Sequence, residues 1–364
     1  MERSNSVAAL ARGRDNNFNL LRAVAAALVI VTHAYGATGH AAEEPLVRLC
    51  GKSLGSVAVD VFFVVSGFLI AKSWDRSRGV LEFAIARALR IYPALWACVA
   101  FCVLVIGLGF TTLPAQEFLR DPATGTFVLR NLTVLPFGTL GRLPGVFVGH
   151  AEGTVNLPLW TLPFELKMYV LLALLGVSGV LRRPGAVALG VVAAALVYVV
   201  PTALGRPESG AILYGRFVFF FFSGTLAYLW RDRLTVAAGP AVACALAGLA
   251  ALAGPFMLRA PLLALVTPYL VLAAALAPSP RLHAYNRLGD YSYGLYIYGF
   301  PVQQAVVALA GGADARQAPA TNLALSLPVA LALAVLSWHL LEARALAWRH
   351  VLGRPRRQPE AQVS

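Results

Sequence analysis

Charged side chains are scarce in this 364-residue chain: Asp, Glu, Lys and Arg make up 13% of it, about half the share of a soluble protein. Too few charges remain to build a water-exposed surface, which excludes a soluble enzyme. With 59% hydrophobic residues and a mean hydropathy of +0.70, a disordered chain is excluded as well. Acidic residues are scarcer than basic ones, 17 against 30. The excess base lies scattered between apolar runs, a pattern of cytoplasmic loops rather than of nucleic-acid binding. Cysteine is sparse too, and Cys50, Cys98, Cys102 and Cys244 have no metal-ligand spacing. They read as small hydrophobes, so no metal site is expected. Cys98 and Cys102 share a helix face, but two thiols without a nearby histidine make a poor zinc site. There is also no room for a large appended domain, because at about 20 residues per span the length admits about ten transmembrane helices.

The expected fold is therefore an all-α polytopic membrane bundle. Apolar runs place candidate helices near 18–36, 54–72, 91–110, 159–180, 186–204, 213–230, 235–253, 261–279, 291–311 and 322–346. Arg22 sits inside the first run, which is long enough to span, so an anchor is expected there rather than a cleaved leader. With the N-terminus cytoplasmic, 19 of the 30 basic residues fall on the inside, and the positive-inside rule then puts both termini in the cytoplasm. Residues 1–350 form one transmembrane domain in this reading. Its one long connection, 111–158, is external, and 351–364 is a polar, disordered cytoplasmic tail. Segment 79–90 reads as an amphipathic interfacial helix leading into the third span.

Polar groups inside spans are costly, so each is a functional candidate. Arg22 and His33 lie on one helix face about 16 Å apart along the axis. The plainer alternative is a snorkelling arginine and a packed, hydrogen-bonded histidine. In the second span Asp60 precedes an apolar stretch that runs into Ser66 and Gly67, a pair that lets helices approach closely. Arg87 and Arg90, at i, i+3, can grip phosphate oxygens or simply anchor the cytoplasmic edge. The fourth span opens with Trp160, then Glu165 and Tyr169 on one face, with Lys167 pointing away. Glu165 and His33 read at similar depth on the outer side, where a carboxylate could orient an imidazole base if the two helices were adjacent.

Taken in order, these residues resemble acyltransferase family 3, the integral membrane O-acyltransferases that modify bacterial surface glycans. The resemblance spans nearly the whole chain. It rests on Arg22 with His33, the segment Asp60 to Ile70 with Ser66-Gly67-Phe68, and Arg87-Ala88-Leu89-Arg90 before Tyr92-Pro93. It continues through Leu159-Trp160-Thr161-Leu162 with Glu165 and Tyr169, and ends in the run Leu288-Gly289-Asp290-Tyr291-Ser292-Tyr293 to Tyr298. Each motif is weak alone, and their order is specific. Gly299 departs from the pattern, since many relatives carry histidine there, and it receives no catalytic role.

The resemblance implies transfer of an acyl group, most simply acetyl, from cytoplasmic acyl-CoA to a hydroxyl of a cell-surface or lipid-linked glycan, in the bacterial inner membrane. Acyl-CoA is then a substrate, with no bound cofactor. Arg22, Arg87, Arg90 and Ser66 would hold the donor, and His33 with Glu165 would carry catalysis. Asp60, Trp160, Tyr169 and Tyr293 would serve the acceptor or support the site. Direct transfer and an acyl-histidine intermediate both remain open. A glycan-lipid flippase or an exporter of an acidic metabolite is the alternative from another class, since intramembrane Arg, His and Glu also line transport paths. The particular glycan, the acyl length and the oligomeric state are not legible.

Overall fold

A computed structural model describes residues 6–11, 16–135, 138–312 and 317–352, the last four as backbone only. Arg3, Arg12 and Arg14, expected on the cytoplasmic side, and nearly all of the expected tail lie outside the described residues. Among these residues there is no strand, only two isolated bridges, Ser6 with Thr235 and Thr111 with Val146. Helices form where the apolar runs lie: α1 Phe18–Ala37, α2 Leu54–Arg76, α3 Val80–Phe101, α4 Leu162–Val177, α5 Pro184–Ala203, α6 Gly210–Leu229, α7 Ala238–Ala253, α8 Phe256–Leu276, α9 Ser292–Leu309 and α10 Pro319–Ser337. The chain is an all-α polytopic bundle.

Eight of these helices are long and apolar enough to cross a membrane by length and composition. The exceptions are α7, with 16 residues, and α9. In α9 the reason is its surroundings: nearly all of its residues are buried against protein, so it need not match lipid, and Gln303 and Gln304 are fully buried within it. The hydrophobic windows of α2 and α6 are 61% and 67% buried, against 17% and 22% for α5 and α8. So α2, α6 and α9 form the centre, and α5 and α8 turn bare Leu and Val to the lipid, Leu189 and Leu196 among them.

Glycine sets the tightest contacts. A Cβ on Gly67 would stand 1.7 Å from the Phe221 carbonyl oxygen, and one on Gly224 would stand 2.0 Å from that of Val64. No other residue permits this approach of α2 to α6, and Thr225 Oγ1 donates across it to the Gly67 carbonyl at 3.1 Å. Ser66-Gly67 therefore does what its composition suggested. On the other side of the core, Gly294 of α9 lies against Ala334 of α10 and Gly299 against Ile30 of α1. Arg22 meets Asp290 just before α9, and Gln303 reaches the Ile30 carbonyl, so α1 and α9 run in parallel. The face where both begin is called near, the opposite face far.

Segment 79–90 is not a separate interfacial helix. It forms the first turns of α3, because no glycine or proline between Val80 and Tyr92 ends the helix; Pro93 is accommodated within it. The helix then passes through a π-turn at Cys102–Gly107 and reaches Phe110. The 111–158 connection is folded in its described residues. It carries helices Ala115–Arg120 and Pro122–Thr133, and Asn131 ties it together by exchanging hydrogen bonds with Leu140. Asn156 then enters the bundle, donating to the Ile297 carbonyl at 2.8 Å beside Cys98 and Cys102.

Candidate active site

Five helices converge on a cavity of about 80 Å³ toward the near end of α1. Arg22 comes from α1, Ser66 from α2, Arg87 and Arg90 from α3, Glu165 and Tyr169 from α4, and Tyr293 from α9. Seven of the residues singled out in the sequence are thus brought together. Toward the far face the cavity is lined by Val59, Phe62, Thr161 and Tyr296. There Tyr296 hydrogen-bonds Thr161 at 2.5 Å, and its ring stands edge-on to Phe62.

The arginines are not bare. Asp290, at the start of α9, accepts from Arg22 and, at 2.5 Å, from Arg90. The other terminal nitrogen of Arg90 reaches Glu342 at 2.9 Å, and Ser337 holds the second oxygen of Glu342 at 3.0 Å. Burial alone would push the Asp290 carboxyl up, but the Arg22 and Arg90 guanidinium groups outweigh it and hold the carboxyl below its usual range. Its other oxygen accepts from the hydroxyl and amide of Ser292, a carboxylate placed at a helix N-terminus. Arg90 thereby fastens α3 to α9 and to the end of α10. Arg87 lines the same cavity from the preceding helical turn.

Glu165 sits with the arginines, not with His33. Tyr169 Oη donates to it, as the i, i+4 spacing suggests, while Lys167 turns to the Tyr214 hydroxyl at 2.5 Å. His33 does not line this cavity. Its ring stands edge-on to Phe300, centroids 4.9 Å apart, one turn farther along α9 than Tyr296. No hydrogen bond joins His33 to Glu165 among the described residues, so the expected base and orienting carboxylate are not a pair. The depth estimate failed because the chain dips inward as a 3₁₀ turn at Leu157–Thr161 before α4 starts, which lowers Glu165 toward the near face.

Asp60 and Trp160 stand apart from the cavity. Asp60 is 1% exposed and bridges Lys52 and Arg216, the latter at 2.7 Å. Arg216 also reaches Glu208 at 3.0 Å and the Ser56 hydroxyl at 2.7 Å, so this cluster locks the far half of α2 to α6. Trp160 joins an aromatic group with Phe164 and Phe217. Sequence reasoning missed the pairing roles of Asp290, Glu342, Lys52 and Arg216. Glu342 carried a readable signal, an acid inside the last apolar run.

The geometry gathers three half-buried arginines of α1 and α3 in one cavity, with an imidazole eleven residues beyond Arg22 on α1, costly groups for a bundle of apolar helices to hold without a function. The Acyl_transf_3 family, described as an acyltransferase domain, matches residues 15–339. The chain belongs to this family. It is a multi-pass membrane acyltransferase. The chain is 29% identical to an O-acetyl transferase of Shigella phage Sf6, over 92% of this chain and 96% of that protein. To Nodulation protein 10 of Rhizobium leguminosarum bv. viciae it is 28% identical, over 93% and 95%. To the exopolysaccharide production protein ExoZ of Rhizobium meliloti (strain 1021) it is 31% identical, over 75% and 84%. No solved structure matches the chain.

Proposed function

We propose that this acyltransferase moves an acetyl group from cytoplasmic acetyl-CoA to a hydroxyl of a surface polysaccharide or its lipid-linked precursor. The near face is then cytoplasmic, both termini lie there, and the membrane is the bacterial inner membrane. One observation carries the reading: Arg22 lines the cavity and His33 stands eleven residues farther along the same helix, toward the far face. Arg22 and Arg87, which line the cavity, hold the donor's phosphates, while both terminal nitrogens of Arg90 serve Asp290 and Glu342. Arg90 is a positioning residue in this account. The slender pantetheine arm passes Ser66 and the Phe62–Tyr296 contact to bring its thioester near His33.

His33 takes the proton of the acceptor hydroxyl as the oxygen attacks the thioester carbonyl. Glu165, held by Tyr169, balances the charge of the arginines in the cavity. The relatives' names, an O-acetyl transferase and an exopolysaccharide production protein, support the acetyl group and the glycan acceptor. The test is glycan mass spectrometry with NMR of base-labile esters, on cells lacking the gene and complemented with wild type, His33→Ala or Arg87→Ala at matched protein levels. Restoration by wild type and by neither variant is expected. Unchanged acylation throughout, with glycan export lost in the deletion, would make the protein a transporter.

A further inference from the structure

At the far end of α1, one turn beyond His33, the 111–158 connection returns to the bundle. Gln304 of α9 fastens it: its Nε2 donates to the Glu152 carbonyl and, at 2.8 Å, to that of Thr154. The amide oxygen of Gln304 is then the accepting end, so His150 Nδ1, 3.1 Å away, donates to it. That tautomer leaves His150 Nε2 as an acceptor.

Glu152 is half-buried, and its Cγ lies 3.8 Å from where a Cβ on Gly36 would stand. Gly36 and His33 are three residues apart on one face of α1, and both are half-buried, so this face is not sealed. Gln304 follows Phe300, the ring beside His33, by one turn of α9. Glu152 beside Gly36 and His150 on Gln304 therefore stand one helical turn beyond His33 and Phe300, on the far side of α1 and α9. Among the described residues no hydrogen bond or ion pair engages the Glu152 carboxylate. A half-buried carboxylate with no donor has lost part of its hydration without replacement, which a donor-bearing ligand would restore.

We propose that the acceptor-sugar subsite lies here, where Glu152 and His150 Nε2 receive hydrogen bonds from hydroxyls flanking the one activated by His33. It rests on the acetyl-transfer reading above. All three groups are hydrogen-bond acceptors, so the site suits a polyhydroxylated or amino sugar and disfavours one bearing a carboxylate. In the transfer step the sugar oxygen bonds the acyl carbon as the C–S bond breaks. The proton passes to His33 and then to the departing thiolate, leaving an ester and free CoA thiol.

The experiment uses the full-length protein in liposomes, with acetyl-CoA and polysaccharide from the deletion strain de-esterified by mild alkali. Glu152→Gln is expected to raise KM for the polysaccharide by about tenfold or more, as loss of a hydrogen bond to a charged group would. KM for acetyl-CoA should stay within about twofold, the resolution at which a change is far below one hydrogen bond. Glu152→Asp, which keeps the charge, should recover most of the affinity. A polysaccharide KM unmoved by Glu152→Gln, or donor and acceptor weakened alike in both variants, overturns the subsite. No transfer even by wild type would remove the acetyl-transfer reading itself, and the subsite with it.

Discussion

At the residue scale, the three arginines of the cavity have different duties, and substitutions should separate them. Arg90→Ala leaves Asp290 and Glu342 buried without their shared cation, a loss of about 3–5 kcal/mol where a buried pair is broken. It should lower the melting temperature in detergent sharply. Arg87→Ala should weaken acetyl-CoA binding, read as a raised donor KM. If Arg90→Ala melts like wild type, Arg90 does not fasten the helices. His33→Gln, close in size, should lower the transfer rate by about 10²–10⁴-fold, the usual range for a lost general base. An unaffected rate would remove the imidazole from the chemistry. The candidates themselves were legible because Arg22, His33 and Glu165 stand out in apolar runs. Their partners were not: Asp290 lies 268 residues from Arg22, and a single sequence does not tell which distant groups meet.

At the scale of elements, the ten apolar runs each hold a helix, and in eight of them length and hydrophobicity meet what a bilayer demands of a span. Where the bilayer sets no demand, reading was poorer. The continuity of 79–90 with α3, the π-turn at Cys102–Gly107 and the inward dip at Leu157–Thr161 depend on packing between elements rather than on lipid. The α2–α6 contact gives a sharp test. At Gly224 a side chain would meet the Val64 carbonyl at 2.0 Å, and backbone cannot step aside as a flexible side chain can. Gly224→Val should abolish accumulation of folded protein, measured by monodisperse elution in detergent. Gly190→Ala on α5, where a Cβ meets nothing within 4 Å, should elute as wild type. A normal profile for Gly224→Val would mean that the two helices do not pack this closely.

At the scale of the whole molecule, the sequence offered an orientation through the positive-inside rule, and the fold turns it into an accessibility experiment. Val148, 73% exposed on the far-side connection, and Arg182, exposed between α4 and α5, mark opposite faces. In a cysteine-free background, Val148→Cys should react with a membrane-impermeant maleimide on intact cells, and Arg182→Cys only after lysis. The reverse pattern would turn the protein over and place the arginine cavity on the wrong side for a cytoplasmic donor. The burial of α9 has a further consequence, for biogenesis. A helix so polar is poorly retained in lipid alone, and its glutamines are held by the Ile30 carbonyl of α1 and those of Glu152 and Thr154, all made before it. Its burial is complete only when α10 arrives and seats Ala334 on Gly294. Nascent chains halted before Pro319 should therefore be cleared by membrane proteases, and lesions along α9 should register as missing protein rather than as inactive enzyme.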